Sequence, residues 1–317
     1  MRRFGFGSAL LLSVVFFPAS LAMAGDADPQ ESTGNFYGNL HGSVGFEDAI
    51  SGTTAFVPYL NVGGKIAYDQ DPGSFGSQFD AEYNYSDASW FNTLATGAVA
   101  NFGALDTAAH LTYIVDQDKK VGLYTGYSSL GLNAKNPNAP NISLGSQQNL
   151  QELDTTAGYM GLGVEAMFAL SDQTSMQVRA AILQQVYTSL TTDTGTGPTT
   201  SSGYNPFSGP LGFSVAASAS HYFTPNISAR ADANYAQFNL SSTNSNLSLY
   251  NAALTGQYNF DSMPLSLGTT AGYGGVAANG SWINDWSLSA RATLSFGGPP
   301  QGVKGRLFRS GLFSVLN

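Results

Sequence analysis

Twelve charged side chains in this sequence stand on the polar phase of alternating, aromatic-rich stretches: Glu47, Lys65, Asp69, Asp80, Glu82, Asp106, Lys120, Glu165, Arg179, Arg230, Asp232 and Arg291. Seven acids and five bases, spread along the chain rather than gathered into a motif, suit a lining better than a reaction centre. Where every second residue of a strand faces a wet interior, such groups hydrate ions and small solutes, and an excess of one sign biases which of them are admitted. The slight acidic excess points to a mild preference for cations. Hairpin spacing also sets Lys65 near Asp80 and Glu165 near Arg179, as cross-strand pairs that stabilise a wall by roughly 0.2–1 kcal/mol each.

Other arrangements that could carry chemistry fall short. Hydrolases and transferases need a histidine beside a serine or a carboxylate, and the chain has three histidines, His41, His110 and His221. His41 and His110 fall mid-strand on the wet phase, where a lone imidazole serves as a polar wall residue. His221 falls on the apolar phase, two residues from Phe223, so no catalysis is expected. Gly161-Leu162-Gly163-Val164-Glu165-Ala166 loosely matches a dinucleotide fingerprint but continues an alternating strand instead of opening a helix. Asp116-Gln117-Asp118 lacks the further ligands of a calcium loop and reads as a turn. With no cysteine and no histidine pair at i, i+4 spacing, neither a metal site nor a cofactor is expected.

The elements that position these side chains are strands. In residues 286–296, WSLSARATLSF, Trp286, Leu288, Ala290, Ala292, Leu294 and Phe296 share one face, and Ser287, Ser289, Arg291, Thr293 and Ser295 share the other. The same period recurs from residue 36 onward, with Phe36, Leu40, Val44 and Phe46 opposing Tyr37, Asn39, His41 and Ser43. Short turns are expected at 69–74, 116–119, 171–173, 224–226 and 261–264, with longer segments between them, above all 86–103, 131–154 and 190–210. Many inward positions are small, including Gly63, Gly122, Gly126, Gly161, Gly163, Ser214, Ser218, Gly268 and Gly272, which favours an open interior.

Residues 1–24 read as a cleaved secretory signal: Arg2 and Arg3, an apolar run from Phe4 to Phe17, Pro18, then Ala22-Met23-Ala24. Without it the chain keeps ten bases against 21 acids, a net charge of −11, which argues against nucleic acid as a partner. The absence of cysteine excludes a disulfide-stapled secreted fold. Charged residues make up 10% of the chain, far below the roughly 25% of soluble globular proteins. That scarcity suits a barrel whose outer face meets lipid and whose backbone is fully paired.

On the signal, the strand periodicity, the alternation of short and long connections and the terminal strand ending at Phe296, the chain resembles the bacterial outer-membrane β-barrel, porin-like class over residues 36–296. It carries no motif of a particular family. The resemblance implies an all-β fold, a transmembrane antiparallel up-and-down barrel of about twelve strands, preceded by a periplasmic lead-in at 25–35 and followed by a tail at 297–317. It implies residence in the outer membrane of a Gram-negative bacterium, with lipid, lipopolysaccharide, the barrel-assembly machinery and small hydrophilic solutes as partners, and it leaves the oligomeric state open. Passive diffusion through a polar lumen is the expected function, with pore-lining residues Glu47, Lys65, Asp80, Glu82, His110, Glu165, Arg179, Arg230, Asp232 and Arg291. A surface or adhesion barrel acting through its loops, and an outer-membrane lipid-modifying enzyme, are the competing classes. The class usually ends at its final aromatic residue, so the tail is a departure. The irregular spacing of Leu307, Phe308, Leu312 and Phe313 favours a mobile periplasmic extension over a plug or a membrane-surface contact.

Overall fold

The computed structural model describes residues 35–48, 56–70, 72–87, 99–135, 152–193, 198–204, 211–240, 245–278, 281–297 and 307–308. The expected signal and most of the expected lead-in and tail lie outside the described residues. Within them the alternating segments form thirteen strands: β1 (Asn35–Asp48), β2 (Phe56–Asp69), β3 (Phe75–Asp87), β4 (Val99–Ile114), β5 (Lys119–Lys135), β6 (Glu152–Ser171) and β7 (Thr174–Asp193). They continue with β8 (Pro198–Tyr204), β9 (Leu211–Tyr222), β10 (Ile227–Leu240), β11 (Ser245–Asn259), β12 (Leu265–Ala278) and β13 (Ser281–Phe296).

Every pairing is antiparallel, and each strand except β8 pairs on both sides. The ring closes where β1 meets β13, with Leu40 opposite Leu294 and Val44 opposite Ala290. The result is a closed up-and-down barrel of twelve strands. Closure leaves no open edge, the condition for crossing a medium that offers the backbone no hydrogen bonds. The thirteenth strand, β8, hangs on the far part of β7, from Tyr187 to Asp193, beyond the point where β9 stops at Gln184.

The outer face is apolar. Leu162, Ile182 and Phe36 are each 66% exposed, an arrangement that costs too much in water to recur on every strand and is what lipid requires. Aromatic pairs border this belt. At the end of the short turns stand Phe36 with Tyr68, Phe75 with Tyr113 and Tyr258 with Phe260; toward the other end stand Phe213 with Tyr235 and Tyr273 with Trp286. The turns close with local bonds. Asp116 accepts the Asp118 N–H at 2.8 Å, which together with Lys119 holds its carboxyl below the usual carboxylate range. Gly73 turns the chain at φ +87°, where a side chain would be strained.

Several boundaries differ from expectation, mostly at the end opposite these turns. The segment 86–103 yields strand at both ends, since β3 runs to Asp87 and β4 starts at Val99. The segment 131–154 shortens likewise, β5 reaching Lys135 and β6 starting at Glu152. Within 190–210, β7 continues to Asp193 and β8 folds back along it. The connections at 241–244 and 279–280 are as short as the turns, so the alternation of lengths holds for four of the six connections at that end.

Candidate functional site

The barrel interior holds a polar network built inward from β1–β6. His110 sits at its centre: Nδ1 lies 2.8 Å from Glu165 Oε1, and Nε2 lies 3.1 Å from Asp80 Oδ2. The ring thus bridges the two carboxylates, one through each nitrogen. Asp80 also accepts from Gln78 Nε2 at 2.7 Å. On one flank, Asn61 Nδ2 donates to Glu82 Oε1 at 2.6 Å, and His41 Nε2 lies 3.3 Å from the same oxygen. On the other, Tyr37 donates to Asp69, whose Oδ2 also accepts from Lys120 Nζ at 3.2 Å. Asp80, Asp106, Asp69 and Lys120 are at most 2% exposed.

Farther from the turns the interior also holds apolar side chains. Tyr159 lies six residues beyond Glu165 on β6, Leu183 four beyond Arg179 on β7, and Ala236 four beyond Asp232 on β10. With Tyr124, Ala181 and Leu249 they form one buried cluster inside the barrel. The sequence offered Tyr124, Tyr159, Leu183 and Leu249 on the inward phase of their strands, yet inward apolar residues stand out only when several strands are superposed.

Small inward residues do not leave the β1–β7 side empty, contrary to expectation. The His41 ring lies over Gly63, so that a Cβ there would meet its Cε1 at 2.9 Å. The Tyr124 ring covers Gly163 in the same way at 2.5 Å. A missing side chain on one strand therefore houses a ring from its neighbour. The β9–β13 side differs: Ser214, Ser218, Ser266 and Ser289 face inward with little bulk, and the atoms nearest a Cβ at Gly268 would be backbone and Cβ atoms of neighbouring β11. Next to this thin wall, at the end of the short turns, lies a cavity of about 670 Å3 bordered by Lys65, Ser175, Gln177, Ser218, Ser220 and Arg230.

The tail enters the interior, where a mobile extension was expected. Gly297, at φ +85°, approaches Phe36 O and the Tyr37 backbone so closely that a Cβ could not be accommodated. Phe308 is fully buried among wall residues. Its N–H donates to Gln78 Oε1 at 2.8 Å, and its carbonyl accepts from Gln78 Nε2 at 2.9 Å and Lys65 Nζ at 2.8 Å. Its ring stacks on His110 at 6.0 Å, lies 5.0 Å from Lys120 Nζ and packs on Met167.

Most of the charged residues read from the sequence are in this interior, and several of them bond groups other than the residue opposite. Lys65 is in register with Asp80 and Glu165 with Arg179. Lys65 nevertheless reaches Phe308, while Asp80 and Glu165 turn to His110. The Arg179 guanidinium lies 5.8 Å from the Tyr124 ring centre. Arg230 Nε bonds Asp232 Oδ2 at 2.9 Å, and Arg291 is half-buried on β13 opposite Ser43 and Gly268. Glu47 is in register with Val57 and Ser287, and its side chain lies outside what is described. His221 stands on the outer phase, its Nδ1 2.9 Å from Thr174 Oγ1. Among the described residues no group of three or more His, Asp or Glu is arranged to hold a metal ion.

A closed antiparallel ring with a lipid-facing belt, two aromatic borders and a polar interior defines a β-barrel of the outer-membrane class. No protein-family model and no curated relative matches the sequence. Similar solved structures are the translocator domain of the autotransporter NalP from Neisseria meningitidis (10% identity over 91% of this chain and 96% of that one, TM-score 0.46) and an outer-membrane channel from Pseudomonas putida F1 (10%, 86% and 100%, TM-score 0.48). The toluene transporter TodX from Pseudomonas putida is similar at 11% identity, over 90% of this chain and 93% of that one, with a TM-score of 0.44. At these identities the likeness is one of barrel architecture alone.

Proposed function

We propose that this barrel is an outer-membrane channel through which small hydrophilic solutes diffuse passively along a narrow, off-centre path. The observation that carries the reading is the cavity of about 670 Å3 inside the wall, bordered by serine, glutamine, lysine and arginine side chains that can replace water around a polar solute. The short-turn end faces the periplasm, as the placement of both barrel termini there implies. The first 24 residues act as the cleaved signal that brings the chain to this membrane. The apolar cluster around Leu183 narrows the path and limits the size and charge of what passes.

Selectivity follows the charges that border free space. The acidic excess in the sequence pointed to cations. In the wall, however, Asp80, Glu82 and Glu165 are bonded to histidines and amides and do not border the cavity, whereas Lys65, bonded to the uncharged Phe308 carbonyl, and Arg230, paired with Asp232, border it together with Asp261. Small anions and neutral polar solutes therefore pass in preference to cations. The test is single-channel recording of the refolded protein in a planar bilayer under a potassium chloride gradient. Stepwise openings with a reversal potential on the chloride side are expected, and Arg230→Gln moves that potential toward zero while keeping an N–H for Asp232. A reversal potential on the potassium side removes the anion preference. Silence from protein shown to be folded by heat-modifiable gel migration overturns the channel and leaves a role for the loops.

A further inference from the structure

Phe308 occupies its place in the manner of a bound ligand. One side-chain amide, that of Gln78, bonds both the N–H and the C=O of this single residue, and Lys65 adds a second bond to the carbonyl. These contacts read a peptide backbone and ignore its side chain. The side chain is read separately, by the His110 ring lying parallel at 8°, by the Lys120 ammonium over its face and by Met167. A flat ring, a cation and a thioether together select an aromatic group.

Three of the four side chains of the seat have partners other than Phe308, Gln78 among them through Asp80. His110 is fixed by Asp80 and Glu165, and Lys120 by Asp69 and Tyr37. The barrel ring also closes through strand pairing without the tail. Beside the seat, Leu307 borders the large cavity, so an occupant that leaves the seat has space to enter. We propose that Gln78, Lys65, His110 and Lys120 form a binding site for an aromatic residue within an extended peptide, and that Phe308 is its tethered occupant, obstructing the periplasmic end of the lumen. The obstruction rests on the channel reading; the binding site stands apart from it.

The experiment uses the full-length chain and its Phe308→Ala variant, with a labelled five-residue peptide of the sequence at 306–310, Arg-Leu-Phe-Arg-Ser, and its alanine analogue. The variant binds the phenylalanine peptide about tenfold or more tightly than the analogue, since the ring's burial supplies the difference. The parent chain, with its seat filled, does not distinguish them. Adding Gln78→Ala to the variant weakens binding of both peptides alike and leaves their ratio, because Gln78 reads the backbone they share. Equal binding of both peptides by Phe308→Ala overturns the site. In bilayers Phe308→Ala conducts severalfold more than the parent, and the phenylalanine peptide reverses the gain. Unchanged conductance despite peptide binding overturns the obstruction. Silence of both proteins with peptide binding intact overturns the channel while the site stands.

Discussion

His110 shows how one side chain holds a wall together from the inside. Its ring bridges carboxylates from β3 and β6, and the side chains of Asp80 and Glu165 are fully buried. Removing one partner of a buried charged cluster strands the others, so His110→Leu lowers stability by about 3–5 kcal/mol. Urea unfolding in detergent measures it, and adding Asp80→Asn and Glu165→Gln recovers much of the loss. A single variant that unfolds at the parent's midpoint would show that the bridge carries no weight. This cluster was half legible in the sequence. The period of two placed Asp80, His110 and Glu165 on one face, and hairpin arithmetic set Lys65 opposite Asp80 correctly. Register fixes which backbones face each other, however, and leaves a long side chain several partners within reach. Lys65 thus turned to a tail carbonyl 243 residues away, a choice no local spacing encodes.

Strands were legible where lipid touches them. The alternation exists because one face must be apolar, so it fades once a strand rises past the belt and both faces are wet. This is why β8, Pro-Thr-Thr-Ser-Ser-Gly-Tyr, and the far end of β7 read as loop although they pair fully from Tyr187 to Asp193. The register between β6 and β7 also slips near Tyr159, leaving Val186 as an extra residue between the part of β7 that pairs with β9 and the part that pairs with β8. A bulge of this kind bends a strand and changes its phase, and nothing in the residue types announces it. Within the belt the rule is strict enough to predict a cost. Leu254 faces outward on β11 midway between Tyr250 and Tyr258, and it is 61% exposed. Leu254→Arg places a charge near the bilayer centre and destabilises the barrel by about 2–4 kcal/mol, whereas Leu254→Val is close to neutral. Denaturation in lipid vesicles separates the two, and equal effects would mean that this face does not meet acyl chains.

The two halves of the ring divide the work of filling and leaving open. A barrel of twelve strands lies between the small ones that side chains fill and the large ones that hold a water channel, so residue size decides which it becomes. Here the β1–β7 half carries most of the rings and long charged groups, with glycines that let them lie flat, and also receives Phe308. The β9–β13 half has Arg230, Asp232 and Arg291 but otherwise keeps mainly serines, threonines, asparagines and glycines, and the cavity lies against it. Flow should therefore hug the thin wall. Ser218 faces inward on β9 and borders the cavity, while its neighbour Ala217 is in the next position on the same strand and points to the other side. Ser218→Phe places a ring in the path and reduces single-channel conductance at least severalfold, whereas Ala217→Phe adds the same ring on the lipid side and leaves conductance as it was. Matching stability of both variants, read from heat-modifiable migration, ensures that the comparison reports on the path. If the two rings act alike, solutes do not run along this wall, and the serines of β9 serve packing between strands instead of passage.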